Sequence, residues 1–477
     1  MWGQKLGREK QFVKSTMLLS LGVMLPRVVM FIALPIYTNT NILSQADYGT
    51  YNLVTTLASM LAPALTVQIQ TAAFRFLIGE KGEKDIKTII SNVIFFVIPI
   101  SVVSLIVMFF CLYTLSFEIR LMIAVYIFLE MYYGVIQQML RGMGKNKEYS
   151  IGAIMNAVIN IVVVIPLLML LNMGLMGMLI SLCAANIIST VYISINARLF
   201  KYLDIKLMDR KCLKRMLSYS WPMVPNNASM WVLTASDQLI ISAFMGTGAN
   251  AIYSAATKFP QVLTLAQNTF TLAWQESASI SSGDKDSTQY YNTIFDGLFR
   301  VISGIMALLI GFMPVLFAIF INASYMEAYA QLPILLWAMF FFGLSAYYGG
   351  IYVAEMRVKN VALTTIIAAI INVIINLAFI RTIGIYAASI STLVSYIFMT
   401  VFRAIDTRKM RKINYNWKNI VIYVVFLLIM SVLFFSDNTL VRVLNAVTGI
   451  IFCIIVNKSM IVALWGIIRE KIRLRRA

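Results

Sequence analysis

The chain contains 477 residues, of which 60% are hydrophobic and 12% are charged. Its mean hydropathy of +0.82 excludes a soluble domain, because no soluble domain of this size can carry so much apolar area on its surface. The absence of histidine excludes a His-centred catalytic triad, and the four cysteines lack metal-ligand spacing. We therefore expect a polytopic membrane protein without a cofactor or a metal site.

Apolar stretches long enough to cross a bilayer recur along the whole chain. At about 20 residues per span, they predict about 14 transmembrane helices and an all-α fold. The predicted helices begin near residues 16, 50, 88, 118, 150, 175, 217, 249, 293, 328, 361, 384, 418 and 441.

Positive charge is concentrated in alternate loops between the predicted helices. The chain has 39 Lys and Arg against 20 Asp and Glu, a formal charge of +19. The N-terminal arm, the loops after every second helix, including 403–418, and the C-terminal tail are basic, whereas the intervening loops hold only Arg120, Arg381 and Arg442. By the positive-inside rule, both termini are expected in the cytoplasm. No nucleic-acid partner is expected, because this charge lies at helix ends, where it also meets anionic lipid.

A polar pattern occurs once in each half of the chain. Asn156 and Asn160, one helical turn apart, are matched by Asn372 and Asn376, and similar loop motifs surround both pairs in the same order. The Asn pairs are interpreted as packing contacts between helices. The repeated unit contains six predicted spans, which predicts a parallel repeat of two six-helix lobes around a central cleft.

The duplication divides the chain into four predicted regions. The N-terminal lobe covers 1–197 and the C-terminal lobe covers 217–405. Between them, 198–216 is predicted to form an amphipathic helix on the cytoplasmic surface. Residues 406–477 are predicted to form two additional helices and a basic tail.

Four basic residues, Arg27, Arg75, Lys258 and Arg300, fall inside predicted spans. An ionised group at membrane depth costs at least about 2.5–3.5 kcal/mol, so it usually faces a partner, a water-filled cavity or an anionic ligand. Arg27 is expected about 16 Å deep, with Lys258 at a similar depth. Arg75 and Arg300 lie nearer to cytoplasmic helix ends, from which they can snorkel. For each cation the alternative to ligand binding is structural, such as an ion pair between Arg300 and Asp296.

Two carboxylates and several amides complete the candidate site. Asp237 either forms a structural salt bridge with Lys258, orients Lys258 as a phosphate contact, or is a coupling-ion site. Glu130 is either an inert buried carboxyl or a proton site. The amides are candidates for hydrogen bonds to sugar hydroxyls, although helix–helix hydrogen bonding explains each of them equally well. They are Gln68, Gln70, Asn226, Asn227, Gln267 and Asn268.

Several segments resemble one family of bacterial transporters. They are Leu34-Pro-Ile-Tyr37, Asp47-Tyr-Gly-Thr-Tyr51, Leu140-Arg-Gly-Met-Gly144, Ser218-Tyr-Ser-Trp-Pro222, Asp237-Gln-Leu-Ile-Ile-Ser242 and Ile252-Tyr-Ser-Ala-Ala-Thr-Lys258. In order and spacing they are similar to recurring segments of the polysaccharide repeat-unit (Wzx-type) flippases, which belong to the multidrug/oligosaccharidyl-lipid/polysaccharide exporter superfamily. The resemblance covers most of the first twelve spans.

The resemblance implies both a fold and a function. The two six-helix lobes form a V around a central cavity. By alternating access, such a protein moves undecaprenyl-diphosphate-linked oligosaccharide repeat units from the cytoplasmic to the outer leaflet of the bacterial cytoplasmic (inner) membrane, for O-antigen or capsule assembly. The resemblance also implies that Arg75, which closes the second span, captures the diphosphate. A glycan polymerase and glycosyltransferases are further candidate partners, and the transport unit is expected to be a monomer.

Two other functions stay open. A cation-coupled multidrug exporter of the same superfamily would favour an acidic or aromatic cavity, against which the cationic excess argues. A membrane-embedded glycan enzyme would need a catalytic acid or base near a membrane surface, and the short loops argue against it. The chain contains no Walker A sequence, so an ion gradient, the membrane potential or consumption of the product would drive transport. We therefore expect a transporter and not an enzyme.

Overall fold

The computed structural model describes residues 24–78, 80, 82–281, 287–458 and 460–462. These residues form helices and connecting turns without a β-strand. The predicted basic arm and C-terminal tail lie outside the described residues. The α-helices are α1 Met24–Tyr37, α2 Gln45–Leu65, α3 Ile69–Leu77, α4 Glu83–Cys111, α5 Phe117–Gly142, α6 Asn146–Met169, α7 Gly174–Asn196, α8 Arg210–Ser220, α9 Met223–Met245, α10 Thr247–Lys258, α11 Gln261–Ser281, α12 Ser287–Phe320, α13 Met326–Ala354, α14 Val358–Ile383, α15 Tyr386–Thr407, α16 Trp417–Leu433 and α17 Thr439–Val456.

Most of these helices can cross a membrane. In the described part of the chain, nine are long and apolar enough to do so: α4 to α7, α12 to α15 and α17. Two bent pairs also pass when each pair is taken as one span. The first is α2 with α3, and the second is Arg210–Leu233, which runs from α8 into α9, with Ala235–Met245, the rest of α9. Helices α1 and α16 are shorter apolar helices. Each predicted start after the first falls within or close to a helix. The predicted all-α polytopic fold is therefore confirmed.

The chain divides into two compact units, residues 1–251 and 252–477. In the first unit α5 is central and packs against α2, α3, α4 and α7, while α6 packs on α7. Side chains of α3, α4 and α5, among them Ile90, Val97 and Leu140, form a common buried core. Helix α9 packs on α2, and α8 packs on α3 and α4.

In the second unit α13 is central. It packs against α11, α12, α14 and α15, while α14 packs on α15 and both α16 and α17 pack on α12. The pairings of α13 with α11, α12, α14 and α15 occur in the same chain order as those of α5 with α3, α4, α6 and α7. The predicted duplication of a six-span unit would account for this recurrence. The region boundaries at 197, 217 and 405 stay predictions.

Close packing within the first unit explains the glycine of the Asp47-Tyr-Gly-Thr-Tyr51 segment. A Cβ atom on Gly49 would overlap the carbonyl oxygen of Thr247, so only glycine allows α2 to approach the start of α10 this closely. Asn250 then donates its amide to the Gly49 carbonyl at 3.0 Å. Tyr48 and Tyr51 are buried on the same helix.

The connection predicted as one amphipathic helix over 198–216 is only partly helical. It contains two short 3-10 turns, Leu199–Tyr202 and Ile205–Leu207, and then α8. The prediction of a continuous helix was wrong because two aspartates start new turns. The Asp204 carboxylate accepts from the Lys206 N–H at 2.9 Å, and that of Asp209 accepts from the Lys211 N–H at 2.8 Å.

Candidate functional site

The first group of candidate residues lies at a break between α2 and α3. Val67 and Gln68 adopt left-handed backbone conformations, with φ of 53° and 55°, and the two helices meet at a bend of 63°. Thr66 donates its hydroxyl to Gln70 Oε1 at 2.8 Å, and Gln70 Nε2 donates to Gln68 Oε1 at 3.3 Å. Both glutamines are buried. Their amides therefore supply polar partners where a span leaves the regular helix.

The two candidate arginines of the first unit differ in exposure. Arg27 is partly buried in α1, and Arg75 is exposed in the last turn of α3. The predicted depth of Arg27 depends on a span that starts near residue 16, outside the described residues. Exposure at a helix end is compatible with both the snorkelling of Arg75 and its proposed contact with a diphosphate.

Glu130 has a hydrogen-bonding partner that was not predicted from the sequence. Asn186 Nδ2, on α7, donates to Glu130 Oε2, on α5, at 2.8 Å. Asn156 Nδ2, on α6, donates in turn to Asn186 Oδ1 at 2.7 Å. A chain of polar groups thus connects three packed helices and ends on a carboxylate. Asn156 therefore connects α6 to α7, as predicted for a packing contact. It is also hydrogen-bonded to the residue that donates to Glu130.

The candidates on α9 are dispersed. Asn227 is exposed, whereas Asp237 is buried with 4% of its surface accessible. The side chain of Asn226 lies outside the described residues. Gln238, next to Asp237, accepts a hydrogen bond from the Thr56 hydroxyl at 2.8 Å and so connects α9 to α2. The structure therefore does not gather the four amides Gln68, Gln70, Asn226 and Asn227 into one described cluster.

Lys258 is the last residue of α10, immediately before the Phe259-Pro260 turn that leads into α11. Its side chain is partly buried. Among the described residues of the second unit, it forms no ion pair with a carboxylate. The predicted pairing with Asp237 would join residues of different units, and it stays a prediction.

A cavity of about 670 Å³ in the second unit brings together three residues that were singled out in the sequence. Asp296 and Arg300, one turn apart on α12, and Gln267 of α11 lie in its wall, which is otherwise mostly apolar and reaches Met460. Gln267 Nε2 donates to the Met339 carbonyl at 2.7 Å. Among the described residues, no salt bridge within 4.0 Å joins Asp296 to Arg300. The alternative of an ion pair between them is therefore absent from the described residues, and Arg300 lines a cavity whose wall is otherwise mostly apolar. The Asn268 side chain lies outside the described residues.

Arg403, which was predicted to lie in a cytoplasmic loop, is buried in α15, with 4% of the residue exposed. Its Nε donates to the Thr364 hydroxyl at 2.9 Å and Nη1 to the Ser345 carbonyl at 3.0 Å. Nη2 donates to the Val361 carbonyl at 3.2 Å and to the Thr365 hydroxyl at 3.0 Å. The loop assignment was wrong because these partners, which come from α13 and α14, replace the water that a loop arginine needs.

Comparison with known proteins identifies the family. A family model described as "Polysaccharide biosynthesis protein" matches residues 12–275. The chain belongs to the polysaccharide biosynthesis protein family. This result confirms the predicted resemblance to the flippases of the multidrug/oligosaccharidyl-lipid/polysaccharide exporter superfamily. No curated protein matches the chain.

The fold of this family member is shared with solved transporter structures. It is similar to the lipid II flippase MurJ in an inward closed conformation, with a TM-score of 0.71 and 15% identity over 93% of this chain and 100% of that chain. It is also similar to an inward-facing multidrug resistance MATE family transporter, with a TM-score of 0.68 and 14% identity over 81% and 97% of the two chains. A superfamily transporter from Pyrococcus furiosus gives a TM-score of 0.58 and 15% identity over 83% and 95%. At these identities the similarity shows a common fold, that of a multi-pass membrane transporter.

Proposed function

We propose that this protein is a flippase that moves undecaprenyl-diphosphate-linked oligosaccharide repeat units from the cytoplasmic to the outer leaflet of the bacterial cytoplasmic membrane. The main support is that a polysaccharide biosynthesis family member has the same fold as a lipid II flippase. Both termini would lie in the cytoplasm, and the chain would act as a monomer by alternating access. Glycosyltransferases would supply its substrate and a glycan polymerase would consume it.

The basic residues provide the chemistry for the diphosphate. Moving this anionic group through hydrocarbon is costly unless cations and hydrogen-bond donors replace its water. Arg27 and Lys258 would compensate the charge during crossing, and Arg75 would first capture it near the cytoplasmic surface. A guanidinium suits this task because it can donate two parallel hydrogen bonds to one phosphate.

The cavity lined by α11 and α12 in the second unit could hold the amphiphilic part of the substrate. Arg300 offers a cation at a wall that is otherwise mostly apolar, so a phosphate can contact the guanidinium while hydrocarbon contacts the apolar side chains. Asp296 on the same wall would repel the phosphate, which limits the number of phosphates that this cavity holds. Gln68, Gln70, Asn226 and Asn227 would contact the sugar. The undecaprenyl chain would stay in lipid.

Glu130 and Asp237 are the candidate coupling-ion residues of this proposal. Each is a carboxylate on a membrane-spanning helix of the first unit, where protonation and deprotonation can alter helix packing. Around Glu130, Asn186 donates to the carboxylate and Asn156 donates to Asn186.

A cation-coupled multidrug exporter is the second candidate. The similarity to a MATE family transporter favours it, and the carboxylates Glu130 and Asp237 would serve such a pump. The excess of basic residues and the family match favour the flippase instead. A glycan enzyme receives no support from either comparison.

The leaflet distribution of the lipid-linked repeat unit tests this proposal. In a strain without the gene, we expect the undecaprenyl-diphosphate-linked oligosaccharide to accumulate in the cytoplasmic leaflet, and the wild-type gene to restore surface glycan. The Lys418→Gln variant, altered at an exposed residue of α16, is the matched control and should also restore it. Unchanged surface glycan in the deletion strain, together with increased sensitivity to cationic drugs, would support the multidrug exporter instead.

A further inference from the structure

A basic pocket of about 500 Å³ lies between α3 and α8 in the first unit, separate from the residues assigned to transport. Its lining consists of three cations, two aromatic rings and a hydroxyl. These residues are Phe76, Lys211, Lys214, Arg215, Ser218 and Tyr219.

The spacing along α8 places the polar residues of the pocket together. Lys211, Lys214, Arg215 and Ser218 follow an i, i+3, i+4, i+7 pattern, which brings them to one face of a helix. Met216, by contrast, is fully buried against the core of the first unit. Helix α8 is therefore held by its apolar side while it presents a row of cations.

The aromatic residues fix the position of one of these cations. The Arg215 guanidinium carbon lies 5.2 Å from the centre of the Phe76 ring, and the Phe76 and Tyr219 rings meet edge to face at 6.0 Å. None of Lys211, Lys214 and Arg215 forms a salt bridge among the described residues. No carboxylate lines the pocket. The positive charge is thus available to a ligand.

The surroundings of the pocket are those of a membrane surface. Large apolar side chains of the connection before and after α8 are exposed: Phe200, Ile205, Met208 and Trp221. Apolar and aromatic residues interleaved with lysines are typical of a segment embedded among lipid headgroups, with tryptophan at the boundary between headgroups and hydrocarbon. The pocket is therefore expected at the depth of the phosphates on the positively charged side of the membrane.

We propose that the α3–α8 pocket binds the phosphate headgroup of an anionic bilayer phospholipid. The lysines and Arg215 would contact the phosphate oxygens, Ser218 would donate a hydroxyl hydrogen bond, and Phe76 and Tyr219 would pack against the glycerol region. The same phosphate chemistry occurs in a polyprenyl diphosphate. The bilayer phospholipid is favoured because the pocket lies where the connection before α8, with Phe200, Ile205 and Met208 exposed, leads into α8, among side chains typical of the headgroup level. This site goes beyond the proposed transport function and does not depend on it.

Native mass spectrometry of the purified full-length protein tests the proposal. The probes are phosphatidylglycerol, phosphatidylcholine of equal chain length and undecaprenyl diphosphate. The pocket variant is Lys211→Gln/Lys214→Gln/Arg215→Gln, and the control variant Lys359→Gln/Lys412→Gln/Lys418→Gln loses the same charge at exposed residues of the second unit. We expect the pocket variant to bind phosphatidylglycerol about tenfold or more weakly, with unchanged binding of phosphatidylcholine, and the control to match the wild type.

Three results would overturn the proposal: full phosphatidylglycerol binding by the pocket variant, an equal loss in the control variant, or displacement of phosphatidylglycerol by undecaprenyl diphosphate from this pocket at much lower concentration. The single variant Lys214→Gln, which keeps Arg215 on Phe76, serves if the triple variant does not fold. It should weaken phosphatidylglycerol binding in the same direction, and unchanged binding in a folded Lys214→Gln protein would equally overturn the proposal.

Discussion

Asn186 donates a hydrogen bond to Glu130 at 2.8 Å and so ties α7 to a carboxylate in the middle of α5. Its own oxygen accepts from Asn156 of α6, so the amide is oriented by a second contact. A carboxylate held in this way has a defined geometry in both protonation states, because an amide N–H can donate to either one. This arrangement makes Glu130 well placed to act as a coupling residue.

We predict that the Glu130→Gln variant folds but exports glycan poorly. A glutamine oxygen can still accept from Asn186, whereas the side chain can no longer take up and release a proton. Surface glycan per unit of protein, measured over a range of external pH, should fall and lose its pH dependence. Glu118→Gln, at an exposed position in the first turn of the same helix, is the control. Wild-type export and pH dependence in Glu130→Gln would make Glu130 a structural residue only.

From the close approach of Gly49 to Thr247 we predict that substitution of Gly49 lowers the free energy of unfolding. In Gly49→Ala, the new methyl group overlaps the Thr247 carbonyl, so α2 and the start of α10 must move apart. We expect a loss of roughly 1–3 kcal/mol in the free energy of unfolding, as for other overpacked sites. A lower thermal unfolding temperature of the purified protein in detergent would show it.

Gly134→Ala is the matched control for this substitution. Gly134 lies within α5, and apart from its chain neighbours and the backbone of its own helix no described atom lies within 4 Å of a Cβ placed there. Alanine is the better helix former by about 1 kcal/mol, so this variant should be as stable as the wild type or slightly more so. Equal stability of both alanine variants would contradict the close packing at Gly49.

The positions of the helices were largely predictable, because each span needs a long apolar stretch. The break between α2 and α3 was not. Val67 and Gln68 adopt left-handed conformations without glycine at either position, and the hydrogen bonds of Thr66 and Gln70 that accompany the break leave no strong local pattern. Aspartates at 204 and 209 are, in retrospect, the local signals for the new turns that interrupt the predicted linker helix.

Arg403 provides a second stability prediction. In Arg403→Ala, four hydrogen bonds from the guanidinium are lost and a cavity remains between α13, α14 and α15. We expect the free energy of unfolding to fall by about 2–4 kcal/mol. Arg403→Lys keeps the charge but has no planar fork, so it should recover only part of this loss.

Lys412→Ala is the control for Arg403, since Lys412 is exposed on the loop that follows α15. Its thermal unfolding temperature should equal that of the wild type. A thermal unfolding temperature of Arg403→Ala equal to that of Lys412→Ala would contradict a structural role for the buried guanidinium.

The candidate site was less predictable than the fold because its contacts join residues far apart in the chain. Glu130 and Asn186 are 56 residues apart, and Arg403 and Thr364 are 39 apart. A single sequence shows that such polar groups lie in apolar stretches, but it does not show which groups meet. The meeting of Arg300, Asp296 and Gln267 at one cavity was foreseen only in part, from the one-turn spacing on α12.

Export by Arg27→Ala and Lys258→Ala variants tests the central claim that the cations of the predicted spans carry a diphosphate. At matched protein levels, each variant should export the lipid-linked glycan at least about tenfold more slowly, and the charge-conserving Arg27→Lys and Lys258→Arg should recover part of the rate. Lys418→Ala, at an exposed residue, should export normally. Normal export by both Arg27→Ala and Lys258→Ala would contradict the proposed mechanism.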